Sequence, residues 1–485
     1  MKKSVRINAI LNVARQAVSV IFPLFTFPYL IRVLGATNYG KANYVSSIVI
    51  YFTLAARFGF SAYATREGAR LRGNRERLNR YCSEVFTLNV ATTVLASAAL
   101  LILVLCVEKF REYQLLFLIL GFNVTFTALQ IDWVNVVFED YLYITVRGIL
   151  IHAANFALIF LLIRKPQDYY IWALLNVMNS GAVCVLNWLY IRRYVTIRAT
   201  IKTNGAEHLK KALVFFAYDI TTAIYVNFDT TMLGWLRGDY EVGLYTVSVR
   251  IYLIAKNVLA AIYAVGIPRL SAFYGGGKYT EFRALLSQII CSLSVLVIPA
   301  CLGLALFSGD ILVLLGGDEY IQSQSALKLL AFAMVFAIYN GIIITCINVP
   351  SGHERVNMAG SILSAALNFV LNLYFIPKYS INGAALTTLI SETFLMFYCF
   401  FGNKEAASHI NIGTLRETAL HIAFGCIPII CCTYLSKRMI EQLFPRLAVG
   451  ISTSVVFYFL CMLLMNDKTV VEFKESIINR IKSYR

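Results

Sequence analysis

RQAVSVIFPLFTFPYLIRVLG, residues 15–35, is apolar enough to cross a membrane, yet Arg15 opens it and Pro23 and Pro28 interrupt it. A hydrocarbon core of roughly 30 Å is crossed by about 20 apolar residues in a helix. An ionisable group within such a helix is expensive unless it faces protein or water. A proline removes a backbone donor and clashes with the turn before it. The stretch therefore reads as a membrane helix whose inner half has a polar, functional side and whose outer half is bent.

The rest of the chain sets the same frame. Of 485 residues, 59% are hydrophobic and 14% charged, with a mean hydropathy of +0.68, too little charge to cover a soluble surface. Fourteen apolar runs follow one another at about 8–31, 41–63, 85–107, 113–133, 141–163, 169–191, 212–235, 243–267, 284–307, 326–349, 355–376, 381–402, 416–435 and 446–465. Nothing alternates with the two-residue period of barrel strands. The pattern predicts an all-α polytopic membrane protein of about 14 transmembrane helices. The first run lacks a small-x-small cleavage site, so the first helix is expected to remain.

The net charge is +17, and its distribution sets the topology. With the N-terminus inside, cytoplasmic segments hold 26 of the 43 Lys and Arg and outer loops hold 11, which orients both termini to the cytoplasm. The loop TREGARLRGNRERLNR, residues 65–80, carries six arginines. It reads as a topology anchor near anionic lipid rather than a nucleic-acid site. Eleven cysteines and five histidines are scattered without zinc spacing. No Ser-His-Asp set, Walker loop or G-x-G-x-x-G appears, so no metal, organic cofactor, catalytic residue or ATP hydrolysis is expected.

Transporters are commonly built from repeats. Helix 1 ends in LGATNYGKANY, residues 34–44, and helix 7 in LRGDYEVGLY, residues 236–245. Gly35 and Gly40 are five apart, as are Gly238 and Gly243, and the offset of 203 between the two pairs also sets Gln16 against Asp219. This echo suggests bundles of helices 1–6 and 7–12 followed by a trailing pair, with divisions at 1–200, 201–403 and 404–485.

Several stretches carry a family resemblance. VNFDTTMLGWLRGDYEVGLYTVSVRIYLIAKNV (226–258) followed by IPRLSAFYGGGK (267–278) resembles helices 7 and 8 of Wzx-type polysaccharide flippases, of the multidrug/oligosaccharidyl-lipid/polysaccharide exporter superfamily. LNFVLNLYFIPKYSINGAALTTLISE (367–392) resembles their helices 11 and 12, and LLGGDEYIQSQSALKLLA (314–331) the entry to helix 10. FPYLIRVLGATNYGKANYVSSIVIYF (27–52) and GFSAYATREGA (59–69) resemble the first two helices and the loop after them. The resemblance runs from about residue 8 to 402. It implies two six-helix lobes around a central cavity lined mainly by helices 1, 2, 7 and 8. The implied activity is movement of undecaprenyl-diphosphate-linked oligosaccharides from the inner to the outer leaflet of the bacterial cytoplasmic (inner) membrane, for O-antigen or capsule assembly. Arg57 departs from the pattern, since the family often has an uncharged residue there.

Buried charge supplies the candidate site. Arg15 and Arg57 fall at similar depth in consecutive helices, Arg15 roughly 10 Å from the inner end of its helix at 1.5 Å per residue. Asn12 and Gln16 share the polar stripe of Arg15, and Ser46, Thr53 and Ser61 that of Arg57. Asp219, Thr222 and Asp229 fall within about 80° of arc on helix 7. Arg250 shares a face of helix 8 with Asn257, whereas Lys256 is turned away by about 120°. A guanidinium forks onto phosphate oxygens, so Arg15, Arg57 and Arg250, with Lys256, Asn12 and Asn257, are the candidate substrate-binding residues for a lipid diphosphate. The alternative is that Arg15 or Arg57 pairs with Asp219 to hold two helices together. Asp219 and Asp229 are the candidates for a coupling ion, H⁺ or Na⁺. Arg147 and His152 lie off the implied cavity, with pairing inside the N-terminal lobe as one reading and a substrate role as the other. Pro23 and Pro28 are the gating candidates, with a static kink as the alternative reading.

Three other functions compete. A cation-coupled drug antiporter would hold its cargo on Asp219 and Asp229, and the excess of arginines argues against it. A lipid II flippase would use a similar cavity. A polysaccharide polymerase, an enzyme, would need a large outer loop, and the longest here, about 308–325, is short and acidic. The expected partners are the lipid-linked diphosphate, membrane lipids, and a polysaccharide polymerase with its chain-length regulator; no nucleic acid is expected.

Overall fold

The computed structural model describes residues 5–200, 204–409 and 412–483, and side chains within them except those of 5–21, 407, 412, 414 and 476–483. Among the described residues every regular element is a helix. Eleven segments are long and apolar enough to cross a membrane. Two of these contain a sharp break and so supply two spans each, and the less apolar helix Gly205–Leu236 adds one more, which accounts for the fourteen runs.

The chain forms two compact units, 1–243 and 244–485. In the first, α1 (Val5–Arg57) is two helices joined at Gly35, whose φ of 70° and ψ of 168° only glycine adopts without strain. Backbone torsions stay helical through Pro23 and Pro28. The Thr26 hydroxyl donates to the carbonyls of Phe22 (3.3 Å) and Pro23 (3.4 Å). α1 ends at Arg57, where Phe58 and Gly59 take positive φ, so the run read as 41–63 is shorter than its hydropathy suggests.

The arginine-rich segment read as a loop is largely helical. α2 (Phe60–Leu71) is amphipathic and begins its buried face with Phe60, Tyr63 and Ala64. These pack on Leu78, Tyr81 and Val85 of α3 (Arg75–Cys106), and on Trp133 and Val137 of α5 (Asp132–Val137). Asn74 caps α3 through the Arg77 amide (3.0 Å). α4 (Gln114–Thr127), α6 (Tyr141–Leu162), α7 (Tyr169–Ile191) and α8 (Gly205–Leu236) complete the unit. On α3 the apolar Val94, Leu95, Leu101, Ile102 and Leu105 are exposed while Asn89 and Thr93 are buried. That inversion suits a helix bathed in lipid.

The second unit holds most of α9 (Asp239–Ala264), then α10 (Ile267–Gly275), α11 (Tyr279–Leu306), α12 (Ser308–Gly316), α13 (Gln324–Ile342), α14 (Glu354–Gly402), α15 (Ile412–Met439), α16 (Leu443–Leu464) and α17 (Lys468–Ser483). α14 is again two spans, broken at Ser380 (φ 48°, ψ −126°) just after Pro377. The trailing pair α15–α16 packs against α11 through Val295, Ile422, Tyr458 and Met462, with the Tyr458 hydroxyl donating to the Val295 carbonyl at 2.8 Å.

Candidate functional site

Within the first unit, the end of α1 is held by neighbouring side chains. The Phe58 amide bonds the Leu54 carbonyl (2.9 Å), and the Thr92 hydroxyl bonds that of Ala56 (2.7 Å). This fixes Arg57, whose guanidinium donates to Gln130 at 3.0 Å. Asp219, half-buried on α8, lies within electrostatic reach of Arg57, although no ion pair joins them among the described residues. The structure thus brings Arg57 and Asp219 into one neighbourhood. Arg15 and Asn12 belong to that stripe in the sequence, but their side chains lie outside the described residues.

Asp229 is buried nearly three turns further along α8. Its surroundings are polar: Thr231 donates to Ser47 at 2.9 Å and is 3.3 Å from the Tyr51 hydroxyl, and the Asp229 carboxylate acts electrostatically on Tyr51. Ser47 and Tyr51 stand one register off the stripe read from the sequence through Ser46 and Thr53.

Arg147 lies 7% exposed and is consumed inside the first unit. It pairs with Asp132 at 2.8 Å, bonds Asn187 and stacks over Tyr143. Of the two readings of Arg147, the intralobe pair is the one found. His152 stacks on Phe22, with ring centres 6.3 Å apart.

In the second unit, Arg250 and Asn257 are both exposed on α9, and among the described residues Arg250 has no ion pair or hydrogen bond. Lys256 points elsewhere. Its ammonium contacts Glu392 of α14 at 3.1 Å and the Tyr252 hydroxyl at 3.2 Å, and Glu392 and Tyr252 are buried. Lys256 therefore has a carboxylate partner in its own unit, a role the sequence did not reveal. Glu392 was available to sequence reading as the one acid inside the 381–402 run, and weighing it would have changed the charge balance.

The glycine echo has a physical basis. Gly35 and Gly238 both take positive φ, 70° and 96°. Gly40 and Gly243 both face bare backbone. A Cβ on Gly40 would lie 1.8 Å from the Asp239 carbonyl oxygen, and one on Gly243 would lie 1.9 Å from that of Ala36. The Tyr113 hydroxyl holds the Asp239 carboxylate at 2.9 Å, and Lys109 bonds the carbonyls of Gly234 (3.0 Å) and Trp235 (2.5 Å).

With this geometry described, comparison with known proteins is informative. The family model described as polysaccharide biosynthesis protein matches residues 5–274, and the MatE model matches 216–374. The capsular polysaccharide biosynthesis protein CapF of Staphylococcus aureus is 25% identical over 256 residues, 52% of this chain and 61% of that protein. The probable low-salt glycan biosynthesis flippase Agl15 of Haloferax volcanii is 24% identical over 48% of each chain. The chain thus spans about half the length of these two relatives. The putative O-antigen transporter of Escherichia coli (strain K12) is 23% identical over 83% of this chain and 98% of its own. Among solved structures, the lipid II flippase MurJ in its inward closed conformation has a similar fold, with a TM-score of 0.76, 14% identity, and coverage of 95% of this chain and 99% of that one. Two units of membrane helices, a repeated glycine contact and a family model spanning more than half the chain agree: this is a member of the polysaccharide biosynthesis protein family.

Proposed function

We propose that the protein is a flippase that moves undecaprenyl-diphosphate-linked oligosaccharides across the cytoplasmic membrane by alternating access, for surface polysaccharide assembly. The observation that carries the reading is Arg250, a guanidinium midway along a membrane-spanning helix that is exposed and has no partner among the described residues. Such a group is expensive in lipid, so it is retained for an anion that meets it. Arg57 is the matching guanidinium of the first unit, oriented by Gln130. Both present the fork that suits a diphosphate. Asp219, near Arg57, is the candidate for exchanging an ion as cargo loads. Gly35 supplies the sharp break in α1, and Pro23 and Pro28, each of which leaves the helix one backbone donor short, are the gating candidates. Both termini face the cytoplasm, the protein transports rather than catalyses, and a polymerase with its chain-length regulator receives the product.

Family membership supports this reading, and the relatives' names point the same way. The MurJ-like fold leaves lipid II as the second cargo to test. Arg250→Ala and Arg57→Ala should each abolish surface polysaccharide while protein stays in the membrane, with Arg→Lys only a partial rescue. Flipping of labelled lipid-linked sugar and of lipid II in vesicles separates the cargoes. Full export by Arg250→Ala would end the diphosphate assignment.

A further inference from the structure

A cavity of about 860 Å³ opens within the second unit, and neither Arg250 nor Lys256 lines it. The first turns of α11 line it through Thr280, Arg283 and Ser287, the segment after α14 through His409, and α17 through Lys468 and Glu472. None of these residues belongs to the site already described. Its outstanding feature is His409, which is 5% exposed while neither ring nitrogen has a hydrogen-bond partner among the described residues. A buried, unpaired polar group is costly and calls for a ligand or a reason.

The groups around His409 indicate the chemistry of that ligand. Tyr274 of α10 and Phe282 of α11 pack edge-on against its ring, at 5.9 and 5.2 Å. Arg283 acts on it electrostatically and has no ion pair or hydrogen bond among the described residues. Glu405 is occupied by the Tyr274 hydroxyl (3.2 Å), Glu472 by Gln288 (3.4 Å) and Lys468 by Glu417 (3.2 Å). Glu281 also lines the cavity and stands in the first turn of α11, where a carboxylate complements the helix dipole. Among the described residues Arg283 and His409 are left as two neighbouring cation-capable groups without a hydrogen-bond acceptor, although Glu405 acts on His409 electrostatically. Burial and Arg283 push the His409 pKa below its ordinary value against a smaller upward pull from Glu405, and an arriving anion would reverse that direction.

We propose that this cavity is a binding site for a phosphate ester, held by Arg283 and His409 at the N-terminal end of α11. The ester is either the headgroup of an anionic phospholipid or a soluble phosphorylated metabolite. The assignment does not rest on the flippase reading, since it invokes none of those residues.

The test uses the full chain in nanodiscs. One arm titrates glycerol 3-phosphate onto protein in phosphatidylcholine discs. The other measures phosphatidylglycerol retained after exchange into mixed discs. Arg283→Gln should weaken binding about tenfold or more, the loss of a charge-assisted hydrogen bond. His409→Gln should weaken it less and abolish the tightening between pH 7.5 and pH 5.5 expected of wild type. Arg192→Gln, outside the cavity, should bind as wild type. Binding in the first arm alone identifies a metabolite, and binding in the second alone a lipid headgroup. Binding of neither probe, or binding unchanged in Arg283→Gln and His409→Gln, overturns the proposal. Arg283 is exposed, so its variant folds and the outcome can be read.

Discussion

Adding one methyl group at Gly40 or Gly243 tests the glycine contact directly. In Gly40→Ala the new Cβ would sit 1.8 Å from the Asp239 carbonyl oxygen and 2.8 Å from the Gly243 nitrogen. A carbon and a carbonyl oxygen need about 3.3 Å, so the backbones must separate by about 1.5 Å. No side chain can rotate away, because the opposing atoms are backbone. Overpacking of this kind costs roughly 1–3 kcal/mol and occasionally more. The separation also strains the bond from Tyr113 to the Asp239 carboxylate, a charge-assisted contact of about 1.5–3 kcal/mol. Gly243→Ala meets Ala36 at 1.9 Å across the same crossing of residues 36–40 with 239–243. One displacement relieves both clashes. The double variant should therefore lose about as much stability as either single one, rather than the sum, a coupling of about 1–3 kcal/mol. Unfolding by sodium dodecyl sulfate in mixed micelles measures all three variants against wild type. Additive losses, or single variants within about 0.5 kcal/mol of wild type, would refute the close-packed crossing.

Glu392→Gln should destabilise the second unit, since it strips Lys256 of its charge partner, while Lys256→Met combined with Glu392→Leu should recover most of the loss; the same unfolding assay reads both. Asp219→Asn should retain or strengthen binding of the lipid-linked sugar but slow turnover and remove its dependence on an ion gradient, as measured in vesicles. If binding weakens and the gradient dependence persists, Asp219 is a structural partner instead. His409 has its pKa lowered by burial and Arg283, so the unfolded chain binds the proton more readily than the folded one. Its contribution is therefore present above the ordinary value of 6.5 and is lost as pH falls below it; melting curves from pH 8 to 5 should show this slope in wild type and a smaller one in His409→Gln.

Much of the fold was legible because hydrocarbon imposes one simple rule, a long apolar run for each crossing. What composition could not convey was where the chain turns within an unbroken run. The gaps left at 32–40 and 377–380 contain the breaks at Gly35 and Ser380, whereas Arg57 ends a helix that hydropathy extends to residue 63. The arginine-rich segment 65–80 shows the opposite error. Its charges suggest a loop, yet Tyr63, Ala64 and Gly68 on one face of α2 make it a packed helix. The glycine echo was visible as spacing, whereas its cause, backbone set against backbone, needed coordinates.

The charges divide along the same line. Helical spacing separated Arg250 and Asn257 from Lys256, because a 120° difference on one helix is a local property. It could not assign Lys256 a partner, since Glu392 lies 136 residues further along the chain. Arg147 and Asp132 make the same point at a separation of 15 residues. A cation in an apolar run signals only that something must offset its desolvation. Where a carboxylate of the same unit already does so, as for Lys256 and Arg147, the charge is accounted for before any cargo arrives. Where none does, as for Arg250, the debt remains open for a ligand. By that criterion Arg250 outranks Lys256 as the proposed contact for the diphosphate, an order that their equal charge on one helix could not supply.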